Sequence, residues 1–282
     1  MTLLQKRITA LAADLQKTVF KLERDVSSKD VHRLRTTIRR LESLIRYANP
    51  DVGHKQQKAI DELASLRRRA GKVRDLDIQV GLLGAIANGS TGKDRRMIAD
   101  YLKMKRQRQA IRLTSDVKDL EYKKLFPRLE KISEKSIIAA PDQSASDPLE
   151  CARGELIQLA GKTSLHLSLK SGRLHELRIS LKRVRYTAEL GEESDAQREL
   201  LEELRPVQDA LGEWHDWETL VRTAEKQFKA RINCPLLVEM RSLLAARFSA
   251  ATSAVDRLFA KYMSTGKAPA SVAGVPRLVR HA

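Results

Sequence analysis

Aromatic side chains make up only 4% of this 282-residue sequence. Proteins that hold single-stranded nucleic acid stack its bases on aromatic platforms, so this scarcity argues against that class. It leaves room for a partner that offers only phosphates. Cysteine is nearly absent: Cys151 and Cys234 cannot make a disulfide framework and lack metal-ligand spacing. A reducing cytosol fits best. From Met1 to Phe20, lysine, arginine and aspartate are scattered through an amphipathic pattern, with no continuous apolar stretch of the secretory kind. Nowhere does the chain approach the roughly eighteen apolar residues of a membrane span. The expectation is a cytoplasmic protein, or a soluble one recruited to a surface, with no membrane partner. No segment sustains period-two alternation with β-branched residues, so no sheet is expected. A P-loop, a nucleophile elbow and paired catalytic carboxylates are missing too, which predicts no catalysis, no cofactor and no metal.

What the chain has in excess is positive charge. Lysine and arginine number 53 against 36 aspartates and glutamates, a formal charge of +17. Self-repulsion on that scale works against a compact state, so a polyanionic partner is a reasonable inference. The remaining composition, 42% hydrophobic and 32% charged, suits a helix-rich globular protein of one large or two smaller domains.

Apolar spacing is helical almost throughout. Leu4, Ile8, Leu11, Leu15, Val19 and Leu22 mark a first helix by steps of three and four. Asp30 is a good N-cap for a second, which runs to about Tyr47 and stops before Asn49-Pro50. A third runs from His54 to Ala87 with a weak point at Gly71, and Asn88 to Gly92 form a loop. A fourth covers Asp94 to Ser133 with an interruption near Phe126-Pro127. Residues 139–148 read as a linker. Helices are then expected over Leu149–Leu169, Leu174–Leu190, Asp195–Ala230 and Pro235–Met263, with a disordered tail at 264–282.

The second half echoes the first. Val31-His32-Arg33-Leu34-Arg35 returns as Leu174-His175-Glu176-Leu177-Arg178, and Ile38-Arg39-Arg40-Leu41 as Leu181-Lys182-Arg183-Val184. Ala70-Gly71 and Asp75 match Leu211-Gly212 and Asp216, and Arg106 matches Arg247. The register drifts by only two residues across these matches, so one duplication explains them all. An all-α architecture of two pseudo-twofold-related four-helix bundles follows.

On a helical wheel Val31, Leu34, Ile38, Leu41 and Ile45 form one face, which must be core. His32, Arg35, Arg39 and Arg46 form the neighbouring stripe, while Arg33 and Arg40 lie on the far side. The duplicated helix repeats this, with Leu174, Leu177, Leu181, Val184 and Ala188 beside a stripe of His175, Arg178, Lys182 and Arg185. A charge opposite the core faces water, but one beside it borders a groove between helices. Like charges along that border repel unless carboxylates or an anionic ligand lie across from them. Asp75, Asp77, Asp209 and Asp216 are the candidate carboxylates, and these four cannot neutralise all of Arg35, Arg39, Arg46, Arg178, Lys182, Arg183 and Arg185. Arginine suits phosphate because its planar fork donates paired hydrogen bonds to two oxygens.

The sequence His-x-Leu-Arg-x-x-x-Arg/Lys-Arg at a helix start, twice, each followed by a Gly-containing helix with an Arg/His-Asp pair, resembles the CHAD family, the conserved histidine α-helical domain. The resemblance covers about residues 1–263, with a first half 1–135 and a second half 149–263. It implies two pseudo-symmetric helical bundles, a basic central groove, binding of inorganic polyphosphate and association with polyphosphate granules. By position it implicates His32, Arg35, Arg39, Arg40, His175, Arg178, Lys182 and Arg183, with Arg106 and Arg247; the stripes add Arg46 and Arg185. No segment resembles the triphosphate tunnel barrel to which many relatives are fused. Glu42 occupies the position of Arg185, which makes the two halves of the groove unequal.

Two rivals compete. A metal-dependent phosphohydrolase of the HD type would use His175, His215-Asp216 and Asp256, but the counterpart of His215 is Arg74, which cannot ligate a metal. A nucleic-acid binder would use the same basic surface without reading sequence, so weak cross-binding to RNA or DNA is expected. Oligomeric state is not readable from the sequence.

Overall fold

Ser27 opens the helix that carries the first histidine. Its hydroxyl accepts the Asp30 N–H at 3.1 Å and donates to Asp30 Oδ2 at 2.6 Å. This is a serine N-cap whose hydroxyl is itself held by the Asp30 carboxylate, so Ser27 holds the cap that the sequence suggested for Asp30, and Asp30 lies in the first turn. The computed structural model of the chain describes residues 3–48, 53–86, 92–120, 122–135, 147–163, 170–229, 231 and 233–264. Among them the elements are α1 (Leu3–Leu22), α2 (Ser28–Ala48), α3 (His54–Ala85), α4 (Gly92–Lys118), α5 (Tyr122–Lys135), α6 (Pro148–Thr163), α7 (Ser171–Ala188), α8 (Asp195–Gln227) and α9 (Pro235–Ser264). No strand occurs among the described residues. The fold is all-α.

The wheel stripes are the core. Val31, Leu34, Ile38, Leu41 and Ile45 of α2 are fully buried, as are Leu174, Leu181, Val184 and Ala188 of α7, with Leu177 nearly so. At roughly 1.5–3 kcal/mol for each large side chain, this burial fixes which face of each helix turns inward. The charged stripe beside it is positioned as a consequence.

Two features differ from the sequence reading. The third helix passes through Gly71 unbroken. The fourth ends at Asp119-Leu120, where the Leu120 N–H tightens onto Val117 O at 3.2 Å, and Pro127 sits inside the separate helix α5. The helix after the linker is described over Pro148–Thr163. The segments expected as loop at 88–91, as linker at 139–146 and as tail at 265–282, and residues 164–169, lie outside the described residues.

Two compact units divide the chain. Unit 1 holds Met1–Ala145 and Ala210–Ser249, and unit 2 holds Ser146–Asp209 and Ala250–Ala282. At 33 residues, or about 50 Å, α8 is long enough to give one segment to each unit, and so is the 30-residue α9. Within unit 1, α2 packs between α1 and α3, α3 also packs on α4, and α5 meets α1 and α3. A second apolar cluster there joins Leu76, Leu83, Ile98 and Leu102 to Trp217, Leu220, Leu237 and Met240. Within unit 2, α6 packs on α7. The end of α9 is tied to α8 by Glu203, which accepts from Lys261 Nζ and, at 2.7 Å, from the Tyr262 hydroxyl.

Candidate functional site

In unit 1 the charged edge of α2 meets a charged edge of α3. On α3 the residues are Arg67, Gly71, Arg74 and Asp75, spaced by four, three and one so that they share a face. On α2 they are His32, Arg35, Arg39, Glu42 and Arg46. The Arg35 side chain is only 19% exposed, and its Nη1 lies 3.6 Å from Asp75 Oδ1. Burial pulls its guanidinium below the ordinary range; Asp75 opposes that, while Arg39, Arg67 and Arg74 reinforce it. His32 is exposed, and partial desolvation first, then Arg74, Arg35 and Arg39, lower its pKa. Arg74 donates to the Ser28 hydroxyl at 3.1 Å. Arg67 meets Glu42 at 2.9 Å, and the Glu42 side chain is 11% exposed. Burial pushes the Glu42 carboxyl up, against the pull of Arg67, Arg46 and Arg39.

Two carboxylates, Glu42 and Asp75, thus share this face with Arg35, Arg39, Arg46, Arg67 and Arg74. Such an arrangement has a positive field and several forked donors, and it can take phosphate oxygens in pairs. Sequence reasoning missed Arg67 altogether and treated Arg74 only as the counterpart of a histidine. A signal existed in their seven-residue spacing around Gly71. It was hidden by Arg68, Arg69 and Lys72, which put positive charge on the other sides of α3 as well.

Unit 2 carries the duplicated edge on α7. His175 is exposed, and Arg178 and Lys182 are half-buried beside the core stripe. Arg185 pairs with Glu189 at 2.8 Å and donates to Gln208 Oε1 of α8 at 3.2 Å, while the Gln208 amide donates to Leu181 O at 3.0 Å. Arg183 reaches Glu155 on α6.

The other sequence candidates separate by their partners. Arg40 and Arg46 are exposed. Arg106 donates to Asp77 at 2.8 Å and to Val26 O at 2.7 Å, tying α4 to α3 and to the α1–α2 connection. Arg247 pairs with Glu213 at 2.7 Å. Arg33 turns away from the site onto Asp14 of α1, whose Oδ2 also accepts the Thr37 hydroxyl at 2.8 Å. Hydrogen bonding by Arg33 holds the Asp14 carboxyl below its usual range. Of the aspartates expected to balance the stripes, Asp75 approaches Arg35 and Asp77 takes Arg106. Among the described residues no group of three or more His, Cys, Asp or Glu is placed to hold a metal. No described helix is long and apolar enough to cross a membrane.

A family model described as the CHAD domain matches residues 6–225. No curated protein matches the sequence. Among solved structures, the crystal structure of the CHAD domain from the plant Ricinus communis is similar with a TM-score of 0.72, at 16% sequence identity, over 93% of this chain and 92% of that one. At that identity the likeness shows the fold alone.

Proposed function

The chain belongs to the CHAD domain family, and from its charged faces we propose that it binds inorganic polyphosphate and does not turn it over. One observation supports this above the others. Arg35 is held mostly out of water among Arg39, Arg67 and Arg74, and among the described residues Asp75 approaches it at a loose 3.6 Å. Phosphates along α2 and α3 would offset the repulsion among these arginines and satisfy the forks together. The α7 edge, with His175, Arg178, Lys182 and Arg185, offers a second set of contacts to the same kind of chain. Binding by charge releases counterions, so affinity falls steeply as salt rises. The same reading places the protein at polyphosphate granules, where a fluorescent fusion should collect.

The test compares two pairs of substitutions. Arg35→Ala with Arg178→Ala should weaken polyphosphate binding by about a hundredfold, the loss of two charge-assisted contacts. Arg33→Ala with Arg231→Ala should change it little, because those arginines are engaged by Asp14 and Asp94. Equal losses from the two pairs would leave only diffuse charge. In competition at equal phosphate concentration, polyphosphate should displace RNA. The reverse outcome would favour a nucleic-acid role.

A further inference from the structure

A glycine sits in the middle of the charged edge of α3. Inside a helix glycine is costly compared with alanine, so a mid-helix glycine invites a reason. Gly71 is buried, lies between Arg67 and Arg74 on the face turned to α2, and does not bend or break α3. A Cβ built on it would stand 2.6 Å from Nη1 of Arg35 and 3.6 Å from its Cζ. A Cβ on Gly81, Gly84, Gly92, Gly154, Gly161, Gly172 or Gly212 would meet nothing within 4 Å, and one on Gly191 nothing nearer than 3.6 Å. One end of the Arg35 guanidinium, Nη1, therefore occupies the space beside Gly71 that any other residue's Cβ would fill.

We propose that Gly71 is a positioning residue for the anion site: its missing side chain is the seat that holds the Arg35 guanidinium down on α3, between Arg67 and Arg74. Three features agree. Arg35 is far more buried than an arginine on a helix edge need be. The group it approaches, Asp75, stands one turn beyond Gly71 on the same face. The clash that a methyl group would create falls on the far end of a flexible side chain, so the backbone of α3 can stay as it is while the fork is driven off. Seating the fork confines it to a small volume before ligand arrives, which lowers the ordering cost of binding. The second repeat has Gly212 at the matching sequence position. A Cβ there would meet no atom of the described residues within 4 Å, so the assignment rests on the first repeat alone.

This inference rests on the anion-binding reading for its ligand, though not for its geometry, and the experiment separates the two. Gly71→Ala is made in the wild-type chain and in an Arg35→Ala chain, and each is measured by thermal unfolding and by binding of long-chain inorganic polyphosphate. Without Arg35, the alanine should raise the melting temperature by about 2–4 °C through helix propensity alone. With Arg35 present the gain should shrink or reverse. Affinity should fall on the order of tenfold when Arg35 is present and should not change when it is absent. An equal thermal shift in both backgrounds overturns the seat. An affinity loss of the same size in both, or in neither, overturns the positioning role. Should the wild-type chain fail to bind polyphosphate at all, the proposed function falls, and the thermal coupling still decides whether Gly71 seats Arg35.

Discussion

The two repeats bridge consecutive helices at the same place with opposite chemistry. In unit 1 the bridge is Glu42 of α2 to Arg67 of α3, at 2.9 Å. In unit 2 it is Arg185 of α7 to Gln208 of α8, at 3.2 Å. The four positions correspond through the duplication, including its two-residue drift in register. The intrahelical neighbours reverse as well: Glu42 lies within the field of Arg46, and Arg185 pairs with Glu189. What the helix pair needs at this point is a polar bridge, and either sign will serve. The consequence for the surface differs. Glu42 is mostly buried and uses the charge of Arg67 internally, whereas Arg185 stays 44% exposed at the edge of its face.

The strongest way to break this comparison is to transplant one bridge onto the other. Glu42→Arg alone would set a buried guanidinium against the half-buried one of Arg67 and should cost about 3 kcal/mol in chemical unfolding. Adding Arg67→Gln rebuilds the pattern of the second repeat, and more than half of that loss should return. If the double variant is no more stable than the single one, the two bridges are not equivalent.

A smaller effect distinguishes the bridges as they stand. Glu42→Ala strands Arg67, and because the Arg67 side chain keeps 28% of its exposure the cost should be about 2 kcal/mol, below the full value for a buried pair. Arg185→Ala removes a solvent-screened contact and should cost under about 1 kcal/mol. Equal losses in urea titrations would contradict the difference in burial.

The legible part of the molecule was the part written in periodicity. The stripes of α2 and α7 carried both the core and the charged edge, because one face of each helix is apolar and the next is basic. The end of α4 was misplaced because proline is the loudest breaker in the sequence, yet Pro127 is accommodated inside α5 while the chain turns at Asp119-Leu120. Arg67 and Arg74 could not be assigned because α3 is basic on several sides, and only packing against α2 selects which arginines matter. Gly71 read as a weakness for the same reason. A missing side chain has meaning only when the group occupying its space is known, and that group is 36 positions away on another helix.

The smallest of the expected effects belongs to His32, and its sign follows from the crowding on the α2–α3 face. Desolvation first, and then Arg74, Arg35 and Arg39, lower the pKa of its imidazole, which disfavours the charged form in the unliganded protein. The unfolded chain takes up this proton more readily than the folded one. The group therefore contributes stability that is present above 6.5 and is lost as the pH falls through its folded value. Ligand acts in the opposite direction. A row of phosphates beside His32 favours the imidazolium, so binding should draw in a proton, and affinity should rise a few-fold as the pH drops through the histidine range. An NMR titration of the imidazole with and without polyphosphate reads this directly, as an upward movement of its midpoint. A midpoint that stays in place would put the phosphates elsewhere than beside His32, and would separate the histidine from the arginines that share its edge of α2.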